Sequence, residues 1–369
     1  MIQKYNLKQL KAIKEIIETL LKISSASIIK SNFIKAFYTN TSNNRLYGNL
    51  NLFGAKTFRL TSSNPNLLNL PSTGSKYAKS VKECFIAPKG YIIYQVDLSA
   101  LEDRVIANLS KDKNKLAVFL DNIDGHTFNS LFYDRDKWYK NYAPLENEDD
   151  KAYSIRAFNE IEKGNKTLKA IRQYYKSCTF AFNYGAYPKK IAEKLNCSIE
   201  RAEYLHNIYN NKLYPELTTF KKKVINFVEE NGYIHLGLGC KLFSDNVEKD
   251  NRTLFNACSQ FWSILTLLAI HDLHVYLKNN NISNNDVQVI STIYDSIYIL
   301  IKEDVTLIKQ INDFIIPKLT KDFIENQIVH NEAEGEIGYD WYNTIKIPNN
   351  ASKEYIGKSL SKLYDIKYK

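Results

Sequence analysis

Cysteine is scarce in this 369-residue chain, and what there is lies scattered. Cys84, Cys178, Cys197, Cys240 and Cys258 are odd in number and form no CxxC pair. That excludes a disulfide framework or a cysteine zinc site and fits a reducing, cytoplasmic-type setting. Long apolar runs are missing as well. The longest, FWSILTLLAI at 261–270, is about half a membrane span. The opening MIQKYNLKQLKAIKEI lacks the apolar stretch of a signal peptide, so no membrane is expected as a partner. No internal repeat is present. Glycine (13) and methionine (1) are few, whereas Tyr, Asn, Lys and Ile are plentiful. That bias matches an AT-rich genome better than any function. Acid is also in the minority: 50 Lys and Arg against 40 Asp and Glu give a net charge of +10. Such a balance admits nucleic acid as a partner and equally fits a merely basic soluble protein. With 44% hydrophobic residues, the chain can bury a large core in two or three subdomains.

Apolar periodicity predicts helix over 7–38, short strands and turns over 45–71, and strand–turn–strand over 81–99. From 100 to about 230 the pattern is mainly helical, interrupted by the acidic ENEDDKAYSIRAFNEIEKGN (146–165). A hairpin is expected at 232–244, a long amphipathic helix at 250–279, and β-rich runs at 287–303. A helix at 304–326 and a strand ending near Ile347 follow, then a polar, basic tail at 348–369. Strands, a helical insertion and strands again predict an α+β sheet domain holding a helical subdomain.

Two aspartates stand at strand ends: Asp97 in YQVDLSALEDRVIANL and Asp295 in STIYDSIYILI. If neighbouring strands bring them together, their repulsion calls for a cation between them. Carboxylates holding paired divalent ions catalyse phosphoryl transfer. Two unrelated turn aspartates remain the alternative. In LKAIRQYYKSCTFAFNYGAYPKK, Arg172, Lys176, Phe180 and Tyr184 recur every fourth residue. On a helix they form a slanting stripe about 18 Å long. Gly185 ends it, with Pro188 beyond. Two cations and two aromatics suit a nucleoside triphosphate; an amphipathic helix with snorkelling basic residues gives the same pattern.

The segment DLSALEDRVIANLS resembles motif A of family A DNA polymerases, the bacterial polymerase I type. RQYYKSCTFAFNYG is similar to their motif B (R-x3-K-x3-F/Y-x3-YG), and IYDS to motif C, usually HDE. NLFGAKTFRLTSSNPNLLNLP, NIDGH, RTLFNACSQ and AEGEIGYDWYNT resemble further family segments, in family order, over residues 40–345. The turn and loop style is closest to the phage branch. The resemblance implies a right-hand α+β fold with an antiparallel-sheet palm, inserted helical fingers and the thumb largely missing. Residues 1–40 would be thumb remnant and lead-in helices. The palm would take 41–110 and 231–347, and the fingers 111–230 with the motif B helix at about 168–184, leaving 348–369 as a basic tail.

The implied function is DNA-directed DNA polymerase in phage DNA replication, in the cytoplasm of an infected bacterial host. The partners would be dNTP and primer–template DNA. Asp97, Asp295 and the backbone carbonyl of Leu98 would hold two Mg²⁺ ions, with Lys176 completing the catalytic set. Arg172, Lys176 and His126 would contact the phosphates, Phe180 the sugar and base, and Tyr184 the templating position. Glu102 would fill the space of a ribose 2′-hydroxyl. Arg59, Arg252, Asn256 and Gln260 would read the primer–template without sequence preference.

Tyr294 and Ser296 replace the usual His and Glu of motif C, Ala100 stands where Gln is common, and the 127–171 segment is an insertion. No DxE-type exonuclease site precedes motif A, so either a separate polypeptide carrying thumb and exonuclease is a partner or the chain is a truncated one. Two alternatives stand beside this one: a weak or inactive polymerase-derived DNA-binding subunit, and a single-subunit RNA polymerase. The second would lack an acid at Glu102 and need a promoter-reading domain.

Overall fold

A computed structural model describes residues 7–368 of the chain. At its centre lies a five-stranded antiparallel sheet of β1 (Tyr91–Leu98), β2 (Val287–Ile293), β3 (Ser296–Lys302), β4 (Ala333–Gly338) and β5 (Thr344–Ile347). Their spatial order is β5-β4-β1-β3-β2. Alternation in YIIYQVDL sends Ile92, Tyr94, Val96 and Leu98 into the main core, while Ile93 meets Tyr298, Leu300 and Trp341 on the opposite face. Both faces of the central strands are covered, so Ser296 to Ile301 of β3 are all buried.

The chain enters through α1 (Leu7–Ile29) and reaches β1 by way of short strands and turns. Beyond β1 it turns through α2 (Leu101–Ser110) into a helical lobe that includes α3 (Gly125–Tyr133), α4 (Asp150–Glu162), α5 (Lys166–Asn183) and α6 (Pro215–Asn231). It returns through a hairpin within 233–243 to α7 (Val247–Gln260) and α8 (Ile264–Asn279), which lead to β2 and β3. Then α9 (Val305–Thr320) and α10 (Lys353–Tyr368) pack together on the core. The sheet with a helical lobe inserted after its first strand is the α+β arrangement the sequence predicts.

Four local expectations are corrected. The strand expected before the turn at 89–90 is a short helix, Ala78–Lys82, followed by a single bridge between Ile86 and Asp340. Phe85 stacks on Trp341 at 4.3 Å, and Pro88 has no N–H with which to extend a ladder. The long helix at 250–279 is broken by a 3-10 turn at Phe261–Ser263, which lets two consecutive large side chains, Phe261 and Trp262, both enter the core. The helix expected to 326 stops at Thr320. The basic tail is instead α10: Ile356, Leu360 and Leu363 are buried at helical spacing, while Lys353, Lys358 and Lys362 stand outward.

The inserted segment also acquires a structural role. Trp138 and Tyr153 are buried in a core shared with Leu168 and Phe182 of α5. Its acidic residues are spent locally: Asp149 caps α4, Asp150 pairs with Arg135, and Glu148 pairs with Arg156. By length and composition, Val247–Asn279 could cross a membrane, yet 56% of its apolar window is buried within the protein.

One glycine fixes how β4 meets β1. A Cβ on Gly335 would lie 2.8 Å from the Tyr94 hydroxyl oxygen and 3.0 Å from Asn312 Oδ1. The Tyr94 hydroxyl donates to that same Oδ1 at 2.8 Å in the buried interior. Gly335→Ala should therefore destabilise the protein by about 1–3 kcal/mol in denaturant unfolding. In combination with Tyr94→Phe the two losses should be less than additive, because the first atom in the way is gone.

Candidate active site

Register places the two aspartates. Asp97 lies opposite Ser296 in the β1–β3 ladder, and Asp295 occupies the β2–β3 turn just before it. The Leu98 amide donates to the Asp295 carbonyl oxygen at 3.1 Å, so residues 197 positions apart share one corner of the sheet. The Ser296 hydroxyl donates to Asp97 Oδ1. Burial, and next the charge of Asp295, push the Asp97 carboxyl up to about 6. Burial also raises Asp295, opposed by a backbone hydrogen bond and by Arg59. Among the described residues no group of three or more His, Cys, Asp or Glu could hold a metal ion. Two hard carboxylates beside the Leu98 backbone fit a divalent ion whose other ligands come from substrate and water.

Above this corner opens a cavity of about 320 Å³ whose lining includes Glu102, His126, Phe180, Tyr184, Asn256 and Asp295. Phe180 and Tyr184, 40% and 39% exposed, present their rings from α5. The stripe runs along Lys166–Asn183, and Tyr184 is the residue that caps it. Gly185 follows with φ +72°, where a Cβ would lie 3.2 Å from Arg252 Cγ. Arg252 Nε donates to the Tyr184 carbonyl oxygen at 3.0 Å, tying α7 to the end of α5. Asn256 lines the cavity; Gln260, one turn on at the end of α7, does not.

The basic residues of the stripe differ in their engagements. Arg172 is held bidentately by Asp124 at 2.8 and 2.7 Å, and Asp124 also caps α3 through the Thr127 amide. Burial pushes the Asp124 carboxyl up, but these hydrogen bonds outweigh it and hold it below its ordinary value. Lys176 makes no ion pair among the described residues and stands 5.6 Å from the Phe180 ring. His126 lies tilted against Phe180, ring centroids 5.0 Å apart, and its buried Nδ1 has no hydrogen-bond partner among the described residues. Burial, then Arg172, bring it down to about 4, so it is neutral at pH 7. Leu98 and Glu102 flank a tight corner: Ala100 is left-handed (φ 52°), which turns the chain from β1 into α2.

Two arrangements escaped the sequence. Arg59 pairs with Glu102 and rests over the Tyr294 ring at 5.0 Å. Asp103 accepts from Lys115 (2.8 Å) and Asn183 (3.3 Å), and Asn183 accepts from the Tyr209 hydroxyl, which joins the helical lobe to α2. The Asp103 partners lie 12 and 80 residues away, and Arg59 is 43 residues from Glu102, beyond any local pattern.

Comparisons agree with this architecture. The family model for DNA polymerase family A matches residues 2–133. The chain is 22% identical to DNA polymerase I of Caldicellulosiruptor bescii over 317 residues, 83% of this chain and 33% of that protein. It is 26% identical to the DNA polymerase of Escherichia phage T5 over 297 residues, 72% of this chain and 31% of that protein. The POL domain of Pol1 from M. smegmatis, solved with DNA primer-template and dNTP, superposes with a TM-score of 0.70 at 18% identity, covering 94% of this chain and 57% of that one. The chain thus spans about a third of the length of the curated relatives it matches.

The Asp97 environment sets a pH dependence. The folded protein keeps that proton up to about pH 6, whereas an ordinary Asp releases it near 3.8. Without divalent ions, stability should therefore fall as pH rises through that window, by at most about 3 kcal/mol. Asp97→Asn should flatten this slope in thermal unfolding. Mg²⁺ should stabilise the parent protein at pH 8 and far less at pH 5.

Proposed function

We propose that the chain, similar in its motifs and in the comparisons to DNA polymerase family A, adds dNTPs to a primer 3′ end on a DNA template. The observation that carries this is Asp97 and Asp295 side by side beneath a cavity roofed by Phe180 and Tyr184. Asp97, Asp295 and the Leu98 carbonyl would hold two Mg²⁺ ions. When bound, such ions make the primer hydroxyl more acidic and neutralise the departing pyrophosphate. Lys176 supplies a cation to the triphosphate, joined by Arg172, whose present partner Asp124 it must share or release. Neutral His126 offers a ring nitrogen donor. Phe180 covers the sugar and base, and Tyr184 stands where the templating base would arrive. Phe at 180 leaves no hydroxyl near the 3′ position. Arg59, Asn256 and Gln260 would face the minor groove of the primer–template, and Arg252 a template phosphate.

In this scheme the sheet and its flanking segments, 41–110 and 231–347, act as palm and 111–230 as fingers, with 1–40 leading in. The intended setting is phage DNA replication in a bacterial host. A separate polypeptide carrying thumb and exonuclease would assist, supported by α1. That helix exposes Ile16 (59%), Leu20 (59%) and Leu21 (62%), a hydrophobic display that seeks a helical neighbour. One observation favours a second role, a DNA-binding subunit with little catalysis: position 296 carries a hydroxyl that spends its hydrogen bond on Asp97.

Primer extension with dNTPs and Mg²⁺, with and without candidate partner chains, separates the two. Asp97→Asn and Asp295→Asn should each lower incorporation about 10³-fold or more while primer–template binding persists. Binding without incorporation by the parent protein under every condition would instead establish the scaffold role. Lys176→Ala should raise the KM for dNTP and lower kcat together, by about 10-fold or more.

A further inference from the structure

The Arg59 guanidinium sits between two groups that no local pattern connects to it. On one side Nη2 donates to Glu102, from the first turn of α2. On the other the Tyr294 ring lies beneath the guanidinium carbon at 5.0 Å. Its Nε is buried and has no hydrogen-bond partner among the described residues, so these two contacts hold the head group. Tyr294 is itself fixed: it occupies the β2–β3 turn with φ 54°, and its carbonyl oxygen accepts from Thr266 Oγ1 at 3.1 Å. Three segments far apart in sequence thus form a stack of ring, cation and carboxylate at the edge of the nucleotide cavity, which Glu102 lines.

We infer that Tyr294 and Arg59 are positioning residues for sugar selection, fixing the Glu102 carboxylate where a ribose 2′-hydroxyl would have to sit. This rests on the polymerase function proposed above. A carboxylate excludes a hydroxyl only if it cannot swing aside, and glutamate has three rotatable bonds. The Arg59 fork removes that freedom, and the ring removes the freedom of Arg59. The Tyr294 ring offers the guanidinium an aromatic face that attracts it. Arg59 still has donors to spare, so one side chain can hold Glu102 and meet a minor-groove acceptor together.

The test is single-nucleotide incorporation on a primer–template, comparing kcat/KM for dNTP and the matching rNTP. Tyr294→Asn removes the ring yet suits the left-handed backbone, so the turn keeps its shape. Tyr294→Phe retains the ring. The asparagine variant should lower the dNTP-over-rNTP preference by about 2- to 30-fold, chiefly by admitting rNTP, and the phenylalanine variant should match the parent. In a Glu102→Ala background, Tyr294→Asn should cause no further loss of preference. Equal falls for dNTP and rNTP, or a further loss in the Glu102→Ala background, would overturn the inference and leave the polymerase function standing. If the parent protein incorporates neither nucleotide with any partner, the polymerase function fails, and the inference with it.

Discussion

Everything at the site depends on two like charges being forced into one corner. Left to themselves, Asp97 and Asp295 would separate; the register of β1 on β3 does not let them. That register is fixed by buried side chains on both faces, so a slip of one residue would turn Ile92, Tyr94 and Val96 out of the core. Burial first, and the charge of Asp295 second, raise the Asp97 carboxyl, and the Ser296 hydroxyl donates a hydrogen bond to it. Hydrophobic packing of the sheet thereby holds open an electrostatic debt that a cation is suited to cancel.

The helical lobe meets this corner with aromatic rings and cations borne on α5. Its inserted helices build the core on which that helix lies, and their acids are consumed in caps and ion pairs. Two polar junctions tie the lobe back to the sheet: Asp103 with Asn183, and Arg252 with the Tyr184 carbonyl. Both fall at the C-terminal end of α5; nearer its other end, Arg172 is held within the lobe by Asp124.

Much of this was legible in the sequence. Alternation gave β1, the apolar runs around Asp295 gave the β2–β3 hairpin, and four-residue spacing gave the face of α5. What escaped had physical causes. Aromatic and apolar residues at 81–88 look like a strand, yet they serve a stacking contact with Trp341. Lysines masked the apolar stripe of α10. The Arg59–Glu102–Tyr294 stack and the Arg172–Asp124 pair join distant segments, and a single sequence carries no sign of which acid a given arginine will choose.

The order of strands also has a consequence for how the protein is made. β1 is flanked by β3 and β4, both encoded roughly 200 residues later. During synthesis, this apolar strand leaves the ribosome with two bare edges and waits for its neighbours for about 10–50 s. The lobe encoded in between consists of short-range helices that can form in that interval and occupy the gap. A chain halted before residue 338 would carry a sticky, half-paired sheet, so truncation should be felt first as aggregation.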